Sequence, residues 1–413
     1  MRILIVSLNF APEQTGTGQT VAARAAYLAS AGHEVDVVAG FPHYPEWRVH
    51  TGYRRRLFQR ESISGARLLR CWHHVASRSH TTGRVAIEMS FGLTSLAAHT
   101  LPRPDVVLGV TPILSDGITA WLLARRHRVP FGLLVQDLSA RAATQSGMTG
   151  ARALAGPAGR VEAFLARRAD GLAVIAEGFR DALLEYGVGP ERIHLVPNFT
   201  PVERPSIQRE QVRGRLGWPL GRPVVLHSGN MGYKQGLENV VEAARLARDA
   251  GRPTLFALVG DGNQRAMLEA LVARYRLDNV RFFPLQEEAL FPSMLGSADV
   301  LLLNQRASVT DMSLPGKLAT YLASGRPIVA AVHEASETAR ELRRAGADAL
   351  VAPENPPALF AAIEVLLADP ARAQTLGERG QRFAAEEYSL PRITSALDGF
   401  IEGLVVGRPA GVR

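Results

Sequence analysis

Residues 223–244, PVVLHSGNMGYKQGLENVVEAA, hold the residue types best suited to binding an anion. The apolar run 224–226 predicts a short buried strand. A polar turn with glycines follows, His227, Ser228, Gly229, Asn230, Met231 and Gly232, and then Lys234 and Gly236. Leu237, Val240, Val241 and Ala244 recur at helical spacing. Strand, glycine loop and helix in that order aim backbone N–H groups and a helix N-terminus at one point, where a phosphate fits. Lys234 adds a point charge there. The same pattern also serves as a plain strand-to-helix turn that binds nothing, because such turns are common in α/β folds.

Asp137 is a second candidate. It follows the apolar run 131–135, at the carboxyl end of a strand, where open parallel sheets gather their ligands. A helix N-cap is the rival role for it. His73, His74 and His80 invite a metal reading, but adjacent histidines without a nearby carboxylate read as surface residues, so no metal site is expected.

The elements that must place these residues follow from periodicity. The apolar run 3–8 suits the buried middle of a parallel sheet. It opens into PEQTGTGQT, residues 12–20, a loop with Gly16 and Gly18. Residues 21–31 read as a helix stopped by Gly32, and 35–39 as the next strand. This is a Rossmann-like unit without the G-x-G-x-x-G dinucleotide fingerprint. Strands 105–110, 131–135, 171–175 and 193–196 and helices 113–126, 161–168 and 177–185 continue it, with a loop at 139–157. Prolines 197, 201, 205 and 219 mark a linker that runs into a short helix. Strands 224–226, 254–259, 280–283, 300–303 and 327–331 then alternate with helices 237–250, 265–275, 290–295 and 317–323, and Gly260-Asp261-Gly262 ends the second of those strands. Two helical stretches close the chain at 373–405, parted by Ser389-Leu390-Pro391. The expectation is an α/β fold of two doubly wound, Rossmann-like domains facing a cleft. Residues 1–200 form the first, 201–385 the second, and a C-terminal helix in 386–413 returns to the first.

Length and composition agree: 413 residues, 46% hydrophobic and 21% charged, suit two soluble globular domains. The formal charge of +8 is mostly arginine. It fits an anionic partner (a phosphorylated metabolite, a membrane surface or nucleic acid) and equally an arginine-rich genome. One cysteine, Cys71, excludes an intramolecular disulfide and a cysteine metal site, and fits a reducing cytoplasm. The N-terminus, MRILIVSLNFAPE, lacks the longer apolar core and cleavage site of a signal peptide. The most apolar long stretch, 85–101, is interrupted by Glu88 and His99 and is short for a membrane span. Before it, residues 41–78 mix Phe41, Tyr44, Trp47, Tyr53, Phe58 and Trp72 with Arg48, Arg54, Arg55, Arg56, Arg60, Arg67 and Arg70. Such a stretch beside an apolar helix can rest on lipid, or form a solvated face over a core helix. Nucleic-acid stacking is the third option, without a recognised module pattern to support it.

In this order and spacing, NFAPEQTGTGQ, AGHEVDVV, VQD, VPN, SGNMGYKQGLENVVEAA, LVGDG, FFPL and LPGKLATYLASGRPIV cover nearly the whole chain. Together they resemble the GT-B-fold retaining glycosyltransferases of family four. The likeness is strongest to the transferases that build bacterial exopolysaccharide and O-antigen repeats on a lipid carrier, the colanic-acid type among them. The resemblance implies a nucleotide-sugar donor in the second domain. There Ser228, Gly229, Asn230, Lys234 and Lys317 face the diphosphate, and Leu285 lies beside the base. Gly260, Asp261, Leu314 and Pro315 belong to the motifs that line the donor. In the first domain Gly16 and Gly18 allow close approach to the sugar.

Departures accompany the resemblance. The family often has arginine where Asn230 stands, and it usually sets its lysine directly before the glycine, whereas Gln235 separates Lys234 from Gly236. A glutamate pair separated by seven residues is missing: Met312 and Thr320 stand there, leaving Asp311 for the sugar and Thr320 for the ribose. The first-domain histidine is missing near Leu134, which leaves Asp137 as the polar candidate. The implied catalytic set is Asp137, Lys234 and Asp311. The implied reaction transfers a sugar with retention, needs neither a metal nor a cofactor, and has the leaving diphosphate take the acceptor proton. The implied partners are a nucleotide sugar, a glycan or polyprenyl-diphosphate-linked acceptor, and the inner face of the cytoplasmic membrane, with no nucleic acid. The rivals are a sugar-nucleotide 2-epimerase on the same fold, which needs no acceptor, and a non-catalytic nucleotide-sugar-binding partner subunit, motivated by the missing glutamates.

Overall fold

Continuous apolar runs separated by helical repeats are expected to build parallel sheets covered on both faces. The computed structural model describes residues 1–13, 16–44, 47–53, 56–75, 81–138, 151–198, 206–287, 289–309 and 315–407, and it holds two such sheets. The chain divides into two compact units, Met1–Phe199 with Leu390–Arg413, and Thr200–Ser389.

In the first unit β1 (Arg2–Val6), α1 (Gly16–Ser30), β2 (Glu34–Gly40), β3 (Phe58–Ile63) and β4 (Ala66–Cys71) lead to α2 (Thr81–Ser95). Then come β5 (Val106–Thr111), α3 (Leu114–His127), β6 (Phe131–Val135), α4 (Ala151–Arg168), β7 (Gly171–Val174), α5 (Gly178–Glu185) and β8 (Ile193–Leu195). The sheet order is β3-β4-β2-β1-β5-β6-β7-β8, parallel except for β3. The strand order reverses between β1 and β5, so the carboxyl ends of those two strands border the crevice where such sheets take ligands.

In the second unit α6 (Arg209–Leu216) precedes β9 (Val224–Ser228), α7 (Glu238–Asp249), β10 (Leu255–Val259), α8 (Arg265–Tyr275), β11 (Val280–Phe283), α9 (Phe291–Ser297) and β12 (Val300–Asn304). It ends with α10 (Lys317–Ala323), β13 (Ile328–Ala331), α11 (Glu337–Arg344), β14 (Ala349–Val351), α12 (Pro356–Ala368) and α13 (Pro370–Glu387). Its sheet, β11-β10-β9-β12-β13-β14, is parallel and reverses between β9 and β12.

The last helix, α14 (Leu390–Val406), packs on the first unit's sheet. Phe400 and Leu404 press on Gly132 and Gly171, where any Cβ would meet them at 2.7–3.2 Å, and Tyr27 Oη donates to Asp398 at 2.6 Å. Both glycines are needed for that close approach.

Four expectations change. Gly16 and Gly18 lie in the first turn of α1, not in a loop. Helix α4 starts at Ala151 and carries Pro157 inside it, so the expected loop 139–157 is partly helix; residues 139–150 lie outside the described residues. The basic and aromatic stretch folds in part as the β3–β4 hairpin, in which Arg67 pairs with Asp36 and Glu34, and the buried Arg70 pairs with Glu61. His73 is buried rather than on the surface, its Nε2 3.0 Å from the Phe41 carbonyl oxygen.

Candidate functional site

The second unit's glycine loops meet at the carboxyl ends of β9 and β10. Gly229 N donates to Val259 O (2.9 Å), Met231 N to Asp261 O (2.8 Å) and Gly260 N to Phe283 O (3.0 Å). These bonds extend the sheet pairing beyond its strands. Gly260 has φ +133°, and a Cβ there would overlap the carbonyl oxygen of Gly229. The two loops approach this closely only because that side chain is missing.

Lys317, the first residue of α10, reaches this junction. Its Nζ lies 3.5 Å from Nε2 of the buried His227 and 6.0 Å from the centre of the Tyr321 ring. A Cβ on Gly229 would stand 3.3 Å from that same nitrogen. Tyr321, one turn along α10, fixes the end of β9: Ser228 N donates to Tyr321 Oη (2.7 Å), and Tyr321 Oη donates to Ser228 O (3.3 Å). Burial pushes the Lys317 ammonium down to about 7. Burial, and then the charge of Lys317, hold His227 well below the usual histidine range. His227 Nδ1 and Ser228 Oγ are buried without a hydrogen-bond partner among the described residues.

Lys234 sits in a single 3-10 turn, Tyr233–Gln235, braced from the end of β12. Asn304 Nδ2 donates to Gln235 O (2.6 Å) and Gly236 O (2.9 Å), while its Oδ1 accepts from Asn239 (2.7 Å). Arg306 donates from its backbone to Lys234 O (2.9 Å) and from Nε to Tyr233 O (2.8 Å). Its guanidinium lies 4.2 Å from the Tyr233 ring centre and is ion-paired to Glu238. The Lys234 side chain is half-buried, and its amine has no partner among the described residues. The cage thus holds the backbone of the turn and not the amine.

The remaining donor candidates are placed as follows. Asn230 is exposed, its amide against Gly232 and Gly262, and Asp261 Oδ1 accepts from Gly262 N at 2.8 Å. Leu285, past the end of β11, is 65% exposed. Pro315 O accepts from Leu318 N (2.8 Å), and Thr320 Oγ1 donates to Lys317 O (2.8 Å), so that hydroxyl proton is spent inside the helix. Asp311 and Leu314 lie outside the described residues.

In the first unit Asp137 follows β6. Its carbonyl accepts from Thr111 Oγ1 at the end of β5 (2.8 Å), and its Oδ1 accepts from Leu138 N (2.8 Å). Gly16 and Gly18 open α1 after the β1–α1 turn. In that turn Glu13 is buried, accepting from the backbone of His43 (2.7 Å) and Tyr44 (3.1 Å), from Asn9 (2.9 Å), and pairing with the His43 ring at 2.9 Å. His43 in turn meets the ring of His73 at 4.7 Å. Among the described residues no group of three His, Cys, Asp or Glu side chains is arranged to hold a metal ion.

Sequence reasoning passed over Tyr321, Asn304, Arg306 and the Glu13–His43 pair. A signal existed for Tyr321 alone, which follows Lys317 by one helical turn. The others act across the sheet or between distant loops.

Two family descriptions match the chain: "Glycosyl transferase 4-like domain" over residues 15–198 and "Glycosyl transferases group 1" over residues 208–383. An Escherichia coli (strain K12) protein described as the colanic acid biosynthesis glycosyl transferase WcaI is 31% identical over 411 residues, covering 97% of this chain and all of the relative. The alpha-D-kanosaminyltransferase of Streptomyces kanamyceticus is 27% identical over 68% of this chain and 72% of its own. Among solved structures, a sucrose-phosphate synthase from Thermosynechococcus elongatus superposes with a TM-score of 0.77 at 19% identity, over 99% of this chain and all of that one. Anabaena HepE in complex with UDP gives 0.73 at 16%, over 98% and 100%. The structural likenesses fix the fold as GT-B, built of two Rossmann-like units.

Proposed function

The chain belongs to the group 1 glycosyltransferases, with a glycosyl transferase 4-like first half, and we propose that it transfers a hexosyl or N-acetylhexosaminyl group, with retention, from a nucleotide sugar to a glycan or polyprenyl-diphosphate-linked acceptor in cell-surface polysaccharide synthesis. The observation that carries this reading is the placing of Lys317 Nζ over Gly229, where two glycine loops expose backbone at the carboxyl ends of β9 and β10. A diphosphate fits that place by charge and by N–H donors. Lys234, on its braced turn, supplies the second cation. Leu285 offers an apolar face for the base, Asp311 is the carboxylate for the sugar, and Asp137 is the polar candidate in the first unit.

Charge builds on the diphosphate as the glycosidic bond breaks, and fixed cations and N–H groups stabilise it most in a site from which water is excluded. The departing diphosphate oxygen takes the acceptor hydroxyl proton on the face the acceptor enters, so the configuration is retained. With two lysines on the phosphates, no metal or cofactor is required. HepE, which shares the fold, was crystallised with UDP-glucose, a donor of the proposed class. No finding favours the 2-epimerase or the non-catalytic subunit.

The acceptor reading brings the enzyme to the cytoplasmic face of the membrane as a peripheral protein. No described helix is long and apolar enough to cross a membrane. Helix α2 and the turn after it instead expose Val85 (40%), Met89 (65%), Leu93 (71%) and Leu96 (36%). Spacings of four, four and three residues put these on one face. Trp72 stands beside them, its carbonyl accepting from Thr94 Oγ1 (2.6 Å), and its N–H reaches the carbonyl of the exposed Leu57 (2.8 Å). Arg56, Arg60 and Arg84 are exposed in the same stretch.

The test is transfer itself. Membranes carrying acceptor and purified protein are given labelled UDP-, GDP- and ADP-sugars, and product is scored as lipid-extractable label with its anomeric configuration. Lipid-linked product of retained configuration is expected. Inverted product, or a C2 epimer formed from donor alone, would overturn the reading.

A further inference from the structure

Lys317 is a cation site without a counter-ion among the described residues. The groups that face it are the imidazole of His227 from β9, the backbone of Gly229 from the loop, and the ring of Tyr321 from its own helix. None carries negative charge at neutral pH; Asp311 lies outside the described residues. A half-buried ammonium with no anion is costly, so the proton is held weakly until one arrives. His227 sharpens this. It is wholly buried, so two positive charges 3.5 Å apart would repel strongly. The imidazole therefore stays neutral beside the amine.

We infer that Lys317 waits as an uncompensated amine held against His227 and gains its proton when the donor's diphosphate settles on the Gly229 loop, so that donor binding takes up a proton. This rests on the donor site proposed above. Burial pushes the free amine down to about 7, and an adjacent diphosphate raises that value. Uptake is therefore absent well below that pH, where the lysine is already charged, and approaches one proton above it. Nucleotide affinity should correspondingly fall by up to about tenfold per pH unit on the alkaline side.

The experiment is calorimetry on the full chain with UDP-, GDP- and ADP-glucose as probes, whose diphosphate diesters do not titrate in this range, near pH 8 and near pH 6, in two buffers of different ionisation enthalpy. For the nucleotide that binds, the enthalpies should differ between buffers by most of one proton near pH 8 and by little near pH 6. Lys317→Arg, always charged, should bind without uptake. The Kd of the wild-type protein measured from about pH 7 to 9 gives an independent reading that needs no variant. Binding with a buffer-independent enthalpy, or a Kd flat across that range, overturns the inference and leaves the donor site standing. Binding of none of the three nucleotides overturns the donor reading and this inference together.

Discussion

Nζ of Lys317 lies 3.5 Å from Nε2 of His227, at the point where β9 gives way to the Gly229 loop. One helix start thus carries Lys317 to the loop, and Tyr321 on the same helix locks the end of the strand through Ser228. Any change in how α10 docks moves charge and loop together.

Lys234 differs, because its amine has no described partner and its backbone alone is caged by Asn304 and Arg306. Lys234→Ala should leave the fold intact and reduce kcat by orders of magnitude, since one lost donor to a developing oxyanion costs about 2.7–4 kcal/mol. Steady-state assays at saturating donor, with circular dichroism as the folding control, check this. Turnover equal to wild type would remove Lys234 from the mechanism and leave the diphosphate to Lys317.

Gly260→Ala tests the loop junction. The new methyl would overlap Gly229 O on a backbone at φ +133°, so both sterics and conformation oppose it. Overpacking and backbone strain each cost about 1–3 kcal/mol. The expected result is a lower Tm together with weaker nucleotide binding. Unchanged values of both would mean the loops can part freely.

Glu13 sets an acid limit. Burial raises its pKa, but the hydrogen bond and charge of His43, with Asn9, outweigh that and hold it at about 2, against 4.5 for a free carboxyl. A depressed carboxylate adds stability above its unfolded value that is lost as pH falls through the folded one. The wild-type protein should therefore lose up to a few kcal/mol between about pH 4.5 and 2 from this group. Denaturant unfolding of Glu13→Gln should show a shallower acid dependence in that window, and parallel curves for the two proteins would refute the assignment.

The legibility of the chain followed the range of the signal. Helices Arg265–Tyr275 and Lys317–Ala323 and strand Val280–Phe283 were readable to the residue, because periodicity and glycine or proline stops are local. The order of strand, glycine loop and helix at 224–249 was readable for the same reason. The β3–β4 hairpin was not, because its arginines look like surface charge until Asp36 and Glu61 are seen to neutralise Arg67 and Arg70. The Lys317–His227 contact spans ninety residues of sequence and depends on the β9–β12 register, which no local pattern encodes.

Metal independence has its own test. The proposed site sets lysine ammoniums and backbone N–H groups on the diphosphate in place of a divalent ion, so the expected outcome is full transfer in EDTA. Activity abolished by chelation and restored by Mg²⁺ or Mn²⁺ would show that the two lysines do not suffice.

The membrane prediction rests on the face of α2. Val85, Met89, Leu93 and Leu96 expose apolar surface along one side of the helix, with Trp72 and Leu57 beside them. Burying such side chains in the headgroup boundary is favourable at about 25 cal/mol per Å², and aromatic rings settle at that level. Nearby arginines add roughly 1 kcal/mol each against anionic lipid, screened by salt. Arg67 and Arg70 do not contribute, being paired with Asp36 and Glu34 of β2 and with Glu61 of β3, which leaves Arg56, Arg60 and Arg84; Arg54 and Arg55 lie outside the described residues. Flotation with anionic liposomes should bring the protein up at low salt and less of it at high salt. Met89→Ser with Leu93→Ser should weaken binding at every salt concentration, whereas serine at Arg54, Arg55 and Arg56 should weaken it mainly at low salt. The two losses separate insertion from attraction. If wild type and both variants stay at the bottom of the gradient at low salt, the face is an ordinary solvated one and the acceptor is soluble.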